Sequence, residues 1–241
     1  MQATRMTALA AIMAFLFGLV VATFSQVRVF FPALLAGAAV TLEIFALSLP
    51  LFLILATTAA LGRSSAHALL RWLAIFYIEI FRGTSLLVQL FWFFYVLPKF
   101  NIVLTPVAAA SICIGLNFGA YGAEVVRGAL GSVGSGQWEA CTALGIPRYK
   151  QLLRIIFPQA VVIMIPSMTN LTIELMKATS MVAAVTLVDI TSAAVKQNMV
   201  FFRTVEIFGC TLILYYCLCQ IIRLLSEMLE KRLSYYRMAR A

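Results

Sequence analysis

Apolar runs about as long as a bilayer is thick alternate along this chain with short polar segments that carry most of its charge. Met6 to Phe24, Val40 to Leu61, the run after Gln89 that ends at Pro98, Thr105 to Val126, Gln159 to about Met176 and Glu206 to Leu225 each read as a membrane helix. Ala66 to Phe81 has a mixed pattern and reads as an amphipathic helix on the cytoplasmic face. Met181 to Thr191 is apolar but about half a span long, and reads as a short interfacial or re-entrant helix ending at Asp189, with Lys196 and Arg203 in the loop beyond. The pattern predicts an all-α polytopic membrane protein.

Composition strengthens this reading. The 241 residues are 63% hydrophobic and 11% charged, against about 45–50% and about 25% in soluble domains. The net charge of +9 invites a nucleic-acid reading, but the placement of the charges excludes it. With the N-terminus inside, the cytoplasmic side holds Arg5, Arg63, Arg71, Arg82, Arg127, Arg148, Lys150, Arg154, Arg223, Lys231, Arg232, Arg237 and Arg240. The outer side holds only Arg28, Lys99, Lys196 and Arg203. That asymmetry is the positive-inside rule and predicts cytoplasmic N- and C-termini. The five cysteines have no metal-like spacing with the single His67 and read as small buried hydrophobes. Gly131 to Gly136 has the glycine spacing of a phosphate loop, but Gln137 and Trp138 stand where Lys and Ser/Thr are needed. A nucleotide that drives this protein is bound by another chain.

Several spans carry polar groups that lipid would not tolerate. Thr169, Asn170, Thr172, Glu174, Lys177, Thr179 and Ser180 crowd the second half of the fifth span, behind Pro166. Such groups must face protein or water, and a proline there frees a carbonyl and breaks the helix. They form either the lining of a solute path or, for Glu174 and Lys177, an ion pair three residues apart. Glu79 and Arg82 have the same spacing and can pair on one helix face, either as a structural cap or as part of a gate. Gly83 follows and allows a sharp change of direction. Glu124 and Arg127 close the fourth span, and Glu43 lies at the border of the second.

The longest polar interruption is Gln137 to Pro158, QWEACTALGIPRYKQLLRIIFP. Its Gly145-Ile146-Pro147 break predicts two short helices at an angle, and its small residues allow close approach of another surface. The stretch resembles the coupling loop of the membrane subunits of bacterial ABC importers. That pattern is Glu-Ala-Ala, three residues, Gly, nine residues, Ile, one residue, Leu-Pro. Here stand Glu139, Ala140, Cys141, Gly145, Ile155, Phe157 and Pro158, with Cys141 and Phe157 as mild departures. EIFRGTSLLVQ (79–89), AYGAEVVRGAL (120–130), FPQAVVIMIPSMTN (157–170) and KATS (177–180) resemble the polar amino-acid branch of these permeases, over roughly residues 36 to 230.

The resemblance implies a type I importer transmembrane domain with five core helices (29–230), an extra N-terminal helix (1–28) and a basic tail (231–241). It implies a permease in the bacterial inner membrane that does no covalent chemistry and works by alternating access. Its partners would be a second permease, a cytoplasmic ATPase dimer that binds ATP and Mg, and an extracytoplasmic solute-binding protein. The ATPase would be met by Glu139, Ala140, Cys141, Leu144, Gly145 and Arg148. Solute would pass Thr169, Asn170, Glu174, Lys177, Thr179 and Ser180. Glu79, Arg82, Gly83, Glu124, Arg127 and Pro166 would serve structure or gating. Relatives commonly carry Asp at the position of Ala178, which points to a zwitterionic or neutral solute, an ectoine-like compound or a neutral amino acid. The competing reading is a stand-alone secondary carrier or channel, which usually shows internal repeats; none is visible here.

Overall fold

The computed structural model describes residues 27–238, with side chains described to residue 230. The expected N-terminal helix Met6–Phe24 and the charges of the tail beyond Glu230 lie outside the described side chains. All regular structure among the described residues is helical. The elements are α1 (Val27–Arg63), α2 (Ala68–Gly83), α3 (Leu86–Phe91), α4 (Pro106–Gly131), α5 (Ser135–Ala143), α6 (Arg148–Lys150), α7 (Phe157–Ala178), α8 (Ile190–Phe201) and α9 (Thr204–Met238). Among the described residues four stretches are long and apolar enough to cross a membrane: Val27–Arg63, Pro106–Gly131, Arg148–Val185 and Thr204–Glu230.

α1 begins well before the expected Val40 and spans about 55 Å at about 1.5 Å per residue, more than a hydrocarbon core of about 30 Å. Its inner partner is α4, which is buried along most of its length. The two backbones come close because α4 presents glycines to α1. A Cβ on Gly115 would lie 2.7 Å from Leu51, and one on Gly122 would lie 2.6 Å from the Phe52 ring and 2.7 Å from Ala56. With little hydrophobic drive between helices in lipid, such small-residue seams set the packing through close van der Waals contact. Phe52, Ala56, Ile114 and Val126 sit in this seam with no exposed surface. A second apolar cluster joins Val27, Phe30 and Leu34 of α1 to Ala193, Ala194, Ile207 and Cys210 of α8 and α9. The outer faces carry Leu47, Leu53, Ile54, Leu212 and Leu224 exposed, as a lipid-facing surface requires.

Three expected elements differ. The span ending near Pro98 is α3 continued by a π turn (Trp92–Val96) and a 3-10 turn (Leu97–Phe100). It reaches only about 22 Å along its axis and meets α2 at 104°, so the two together are a broken span or a re-entrant pair rather than a straight crossing. Gly83 is not the pivot: it stays helical, while Thr84 and Ser85 adopt extended backbone. Pro166 does not interrupt α7, which is continuous through it. The expected half-span Met181–Thr191 is not one helix. Its first part is the 3-10 continuation of α7 (Thr179–Val185), ended by Thr186 at φ 67°. The chain then extends until Asp189 caps α8. The Asp189 carboxylate accepts from the backbone N–H of Ser192 at 2.9 Å and of Thr191 at 3.1 Å, and from the Tyr215 hydroxyl at 3.2 Å. Lys196 therefore lies within α8 rather than in a loop.

Candidate coupling foot and solute cavity

The break predicted at Gly145 is present, between α5 and the three-residue α6. α5 ends at Ala143, and Gly145 takes φ 66°, a left-handed conformation that a residue with a Cβ enters at a cost. The Gly145 N–H donates to the Thr142 carbonyl and the Ile146 N–H to the Cys141 carbonyl, the paired bonds of a Schellman ending. Beyond it, the buried Gln151 donates from Nε2 to the Ile146 carbonyl at 2.6 Å, which closes the loop onto the following turn.

The foot has a fixed side and a free side. Cys141 is buried and Trp138 packs against the core, so these two anchor it. Glu139, Ala140, Gly145 and Arg148 are exposed, and Leu144 is 77% exposed, with Tyr149 and Leu153 exposed nearby. Cys141 thus turns away from the surface its neighbours present.

The polar residues of α7 divide among three openings. A cavity of about 420 Å³ is lined by Leu86, Asn117, Phe118, Tyr121, Glu174, Lys177, Ala178 and Met181, within the usual range for small-molecule sites. A larger, mostly apolar opening of about 740 Å³ takes Lys177 and Ser180 against Tyr215, Tyr216 and Arg223 of α9. A third, of about 330 Å³, takes Pro166, Thr169 and Asn170 against Arg223, Glu227 and Glu230. Thr179 lines none of the three: it is fully buried and donates to the Met176 carbonyl. Glu174 and Lys177 do not pair with each other within 4.0 Å among the described residues; both are exposed, and both face the first cavity.

The wall of that cavity is fastened to the bend between α2 and α3. Asn117 donates to the Phe81 carbonyl at 2.9 Å and to Gln89 Oε1 at 3.0 Å. Gln89 in turn donates to the Phe81 carbonyl and to Thr84 Oγ1. The Tyr77 hydroxyl donates to the Leu116 carbonyl at 2.6 Å. Polar side chains here satisfy the carbonyls that end α2, as they must in a low-dielectric setting.

Arg82 does not pair with Glu79. It turns to Glu124, at 3.7 Å, and lies over the Tyr121 ring. Glu124 also receives Arg63 from the end of α1 and a two-pronged bond from Arg127 at 2.9 and 2.8 Å. Three guanidiniums therefore surround one carboxylate where α1, α2 and α4 meet. Sequence spacing showed Glu124 beside Arg127 but not Arg63, which is distant along the chain. No group of His, Cys, Asp and Glu among the described residues could hold a metal ion.

Known proteins place this architecture. Over 210 residues the chain is 36% identical to the L-cystine transport system permease protein TcyB of Bacillus subtilis, covering 86% of this chain and 89% of that protein. It is 39% identical over 209 residues to the octopine transport system permease protein OccM of Rhizobium radiobacter, covering 83% and 85%. A crystal structure of an amino acid ABC transporter with histidines superposes with a TM-score of 0.80 at 27% identity, over 87% of this chain and 98% of that one. The family model described as "Binding-protein-dependent transport system inner membrane component" matches residues 52–235. The chain belongs to that family, as a membrane-spanning permease of the ABC importer type.

Proposed function

We propose that this chain is the permease subunit of an ATP-driven importer for amino acids or amino-acid-like zwitterions. The observation that carries the proposal is the foot at residues 135–150, rigidly ended by Gly145 and Gln151 and presenting an exposed Leu144 from an otherwise apolar bundle. Leu144, Tyr149 and Leu153 are all exposed along this stretch, and apolar groups exposed together are what a docking partner covers. In this reading the partner is the cytoplasmic ATPase, which binds ATP and Mg, so the foot and both termini lie in the cytoplasm. A second permease completes the path, and an extracytoplasmic protein delivers solute. Glu139, Ala140, Leu144, Gly145 and Arg148 meet the ATPase, while Cys141 anchors the foot from behind.

Solute passes the first cavity, where Glu174 and Lys177, without an ion-pair partner among the described residues, offer complements to the opposite charges of a zwitterion. Ala178 supplies no carboxylate beside them, which favours a neutral zwitterion over a cationic amino acid. Thr179 acts as a structural residue, and Thr169, Asn170 and Ser180 border the neighbouring openings. The family relationship favours this reading over a stand-alone carrier.

The test is reconstitution of the chain with its ATPase and binding protein in liposomes. Solute uptake that requires ATP and all three components is the expected result. Uptake by this chain alone, without nucleotide, would overturn the proposal.

A further inference from the structure

We infer that Arg82 is a carboxylate-receiving, specificity-determining residue at the α2 end of the solute cavity; this rests on the transport reading above. The argument starts from how the cations around Glu124 are committed. Arg127 holds one carboxylate oxygen through two N–H groups, and Arg63 holds the other. Arg82 reaches Glu124 only at 3.7 Å and, among the described residues, makes no side-chain hydrogen bond. Its side chain keeps 39% of its surface open. The carboxylate is thus already occupied, and the Arg82 fork is the spare donor of the cluster. A guanidinium offers paired N–H groups in the geometry a carboxylate accepts.

Arg82 does not itself line the cavity but lies against a residue that does. Its guanidinium carbon lies 5.4 Å from the centre of the Tyr121 ring, and Tyr121 lines the cavity that holds Glu174 and Lys177. The Tyr121 hydroxyl approaches the Arg82 carbonyl at 3.5 Å, and Asn117, another lining residue, binds the adjacent Phe81 carbonyl. The backbone that carries Arg82 is therefore fastened to the cavity wall at two points. With three guanidiniums against one carboxylate behind Tyr121, and Glu174 and Lys177 both on the cavity lining, the surroundings favour a solute that carries a carboxylate and disfavour one with net positive charge.

The measurement is binding of the L-amino acids and their α-amides to the purified permease–ATPase complex, without the solute-binding protein. The wild-type complex prefers at least one acid over its amide. R82Q lowers that acid-to-amide ratio about tenfold, the loss expected for one charge-assisted bond. E124Q raises the ratio, because Arg82 is released from its carboxylate. R82K, for use if R82Q fails to assemble, keeps the charge without the fork and gives an intermediate fall. A purely structural Arg82 would shift binding of acid and amide alike and leave the ratio fixed; that result, no acid preference in the wild type, or R82Q and E124Q moving the ratio in the same direction, overturns the inference. ATP-driven uptake by the reconstituted wild type separates the two claims. Absent uptake sinks the transport reading, whereas intact uptake with an unmoved ratio sinks the Arg82 assignment alone.

Discussion

Adding one methyl group at Gly122 tests the α1–α4 seam directly. A Cβ built there falls 2.6 Å from Phe52 Cε2 and 2.7 Å from Ala56 Cβ. Neither neighbour has room to yield, since both are fully buried and both sit on α1. Overpacking of this kind costs about 1–3 kcal/mol. Gly128, two turns along α4, has nothing within 4 Å of its Cβ position. There Gly128→Ala brings only the helix preference for alanine, worth up to about 1 kcal/mol in its favour. The two substitutions are chemically identical, so the helix preference cancels and their difference isolates packing, about 1–3 kcal/mol. Reversible unfolding in mixed detergent and SDS, followed by circular dichroism, reads it. Gly122→Ala should unfold at lower SDS and Gly128→Ala at equal or higher SDS than the parent. Equal transitions for the two would refute the close seam.

Gly145→Trp should leave the bundle inserted, since among the described residues nothing beyond its own chain neighbours lies within 4 Å of its Cβ position, yet force a left-handed φ on a bulky residue and tilt Leu144. ATP hydrolysis and uptake in proteoliposomes should come apart, and normal coupled uptake would contradict this. Glu124→Gln leaves three guanidiniums without their carboxylate and should cost about 2–3 kcal/mol in the same SDS titration; an unchanged midpoint would contradict the hub. Asp189→Ala removes the α8 cap and the partner of Tyr215, for a loss of about 1–2 kcal/mol, whereas Asp189→Asn, which keeps a capping oxygen, should lose less. Glu174→Gln should change uptake affinity or selectivity; identical kinetics would remove Glu174 from the path.

How much was legible follows from which interactions are local. The foot was readable because a Gly-Ile-Pro break acts within a few residues, and the Schellman ending uses only Cys141 to Ile146. The spans at Thr105–Val126, Gln159–Met176 and Glu206–Leu225 were readable because lipid forces long apolar runs. The start of α8 was misplaced although Asp189 followed by Ser192 is a capping signal; apolar content outweighed it. The Glu79–Arg82 pair failed because a carboxylate on another helix competes better than one three residues away. Arg63 joins Glu124 only after α1 and α4 pack, and no spacing rule carries that. Pro166 stays inside a continuous α7 although it is exposed, and nothing in its packing explains why the helix is not broken there.

The central claim is that force reaches the bundle through the exposed side of the foot. Leu144→Cys in a background with the other cysteines replaced places a single thiol on that side, and a short thiol-reactive cross-linker in membranes with the cognate ATPase reads its neighbour. The account predicts a cross-link from this chain to the ATPase whose yield changes with bound nucleotide, and none from a thiol placed at exposed Leu212 on the apolar face of α9. A Leu144→Cys thiol that cross-links no ATPase in a complex still competent for ATP-driven uptake would contradict it.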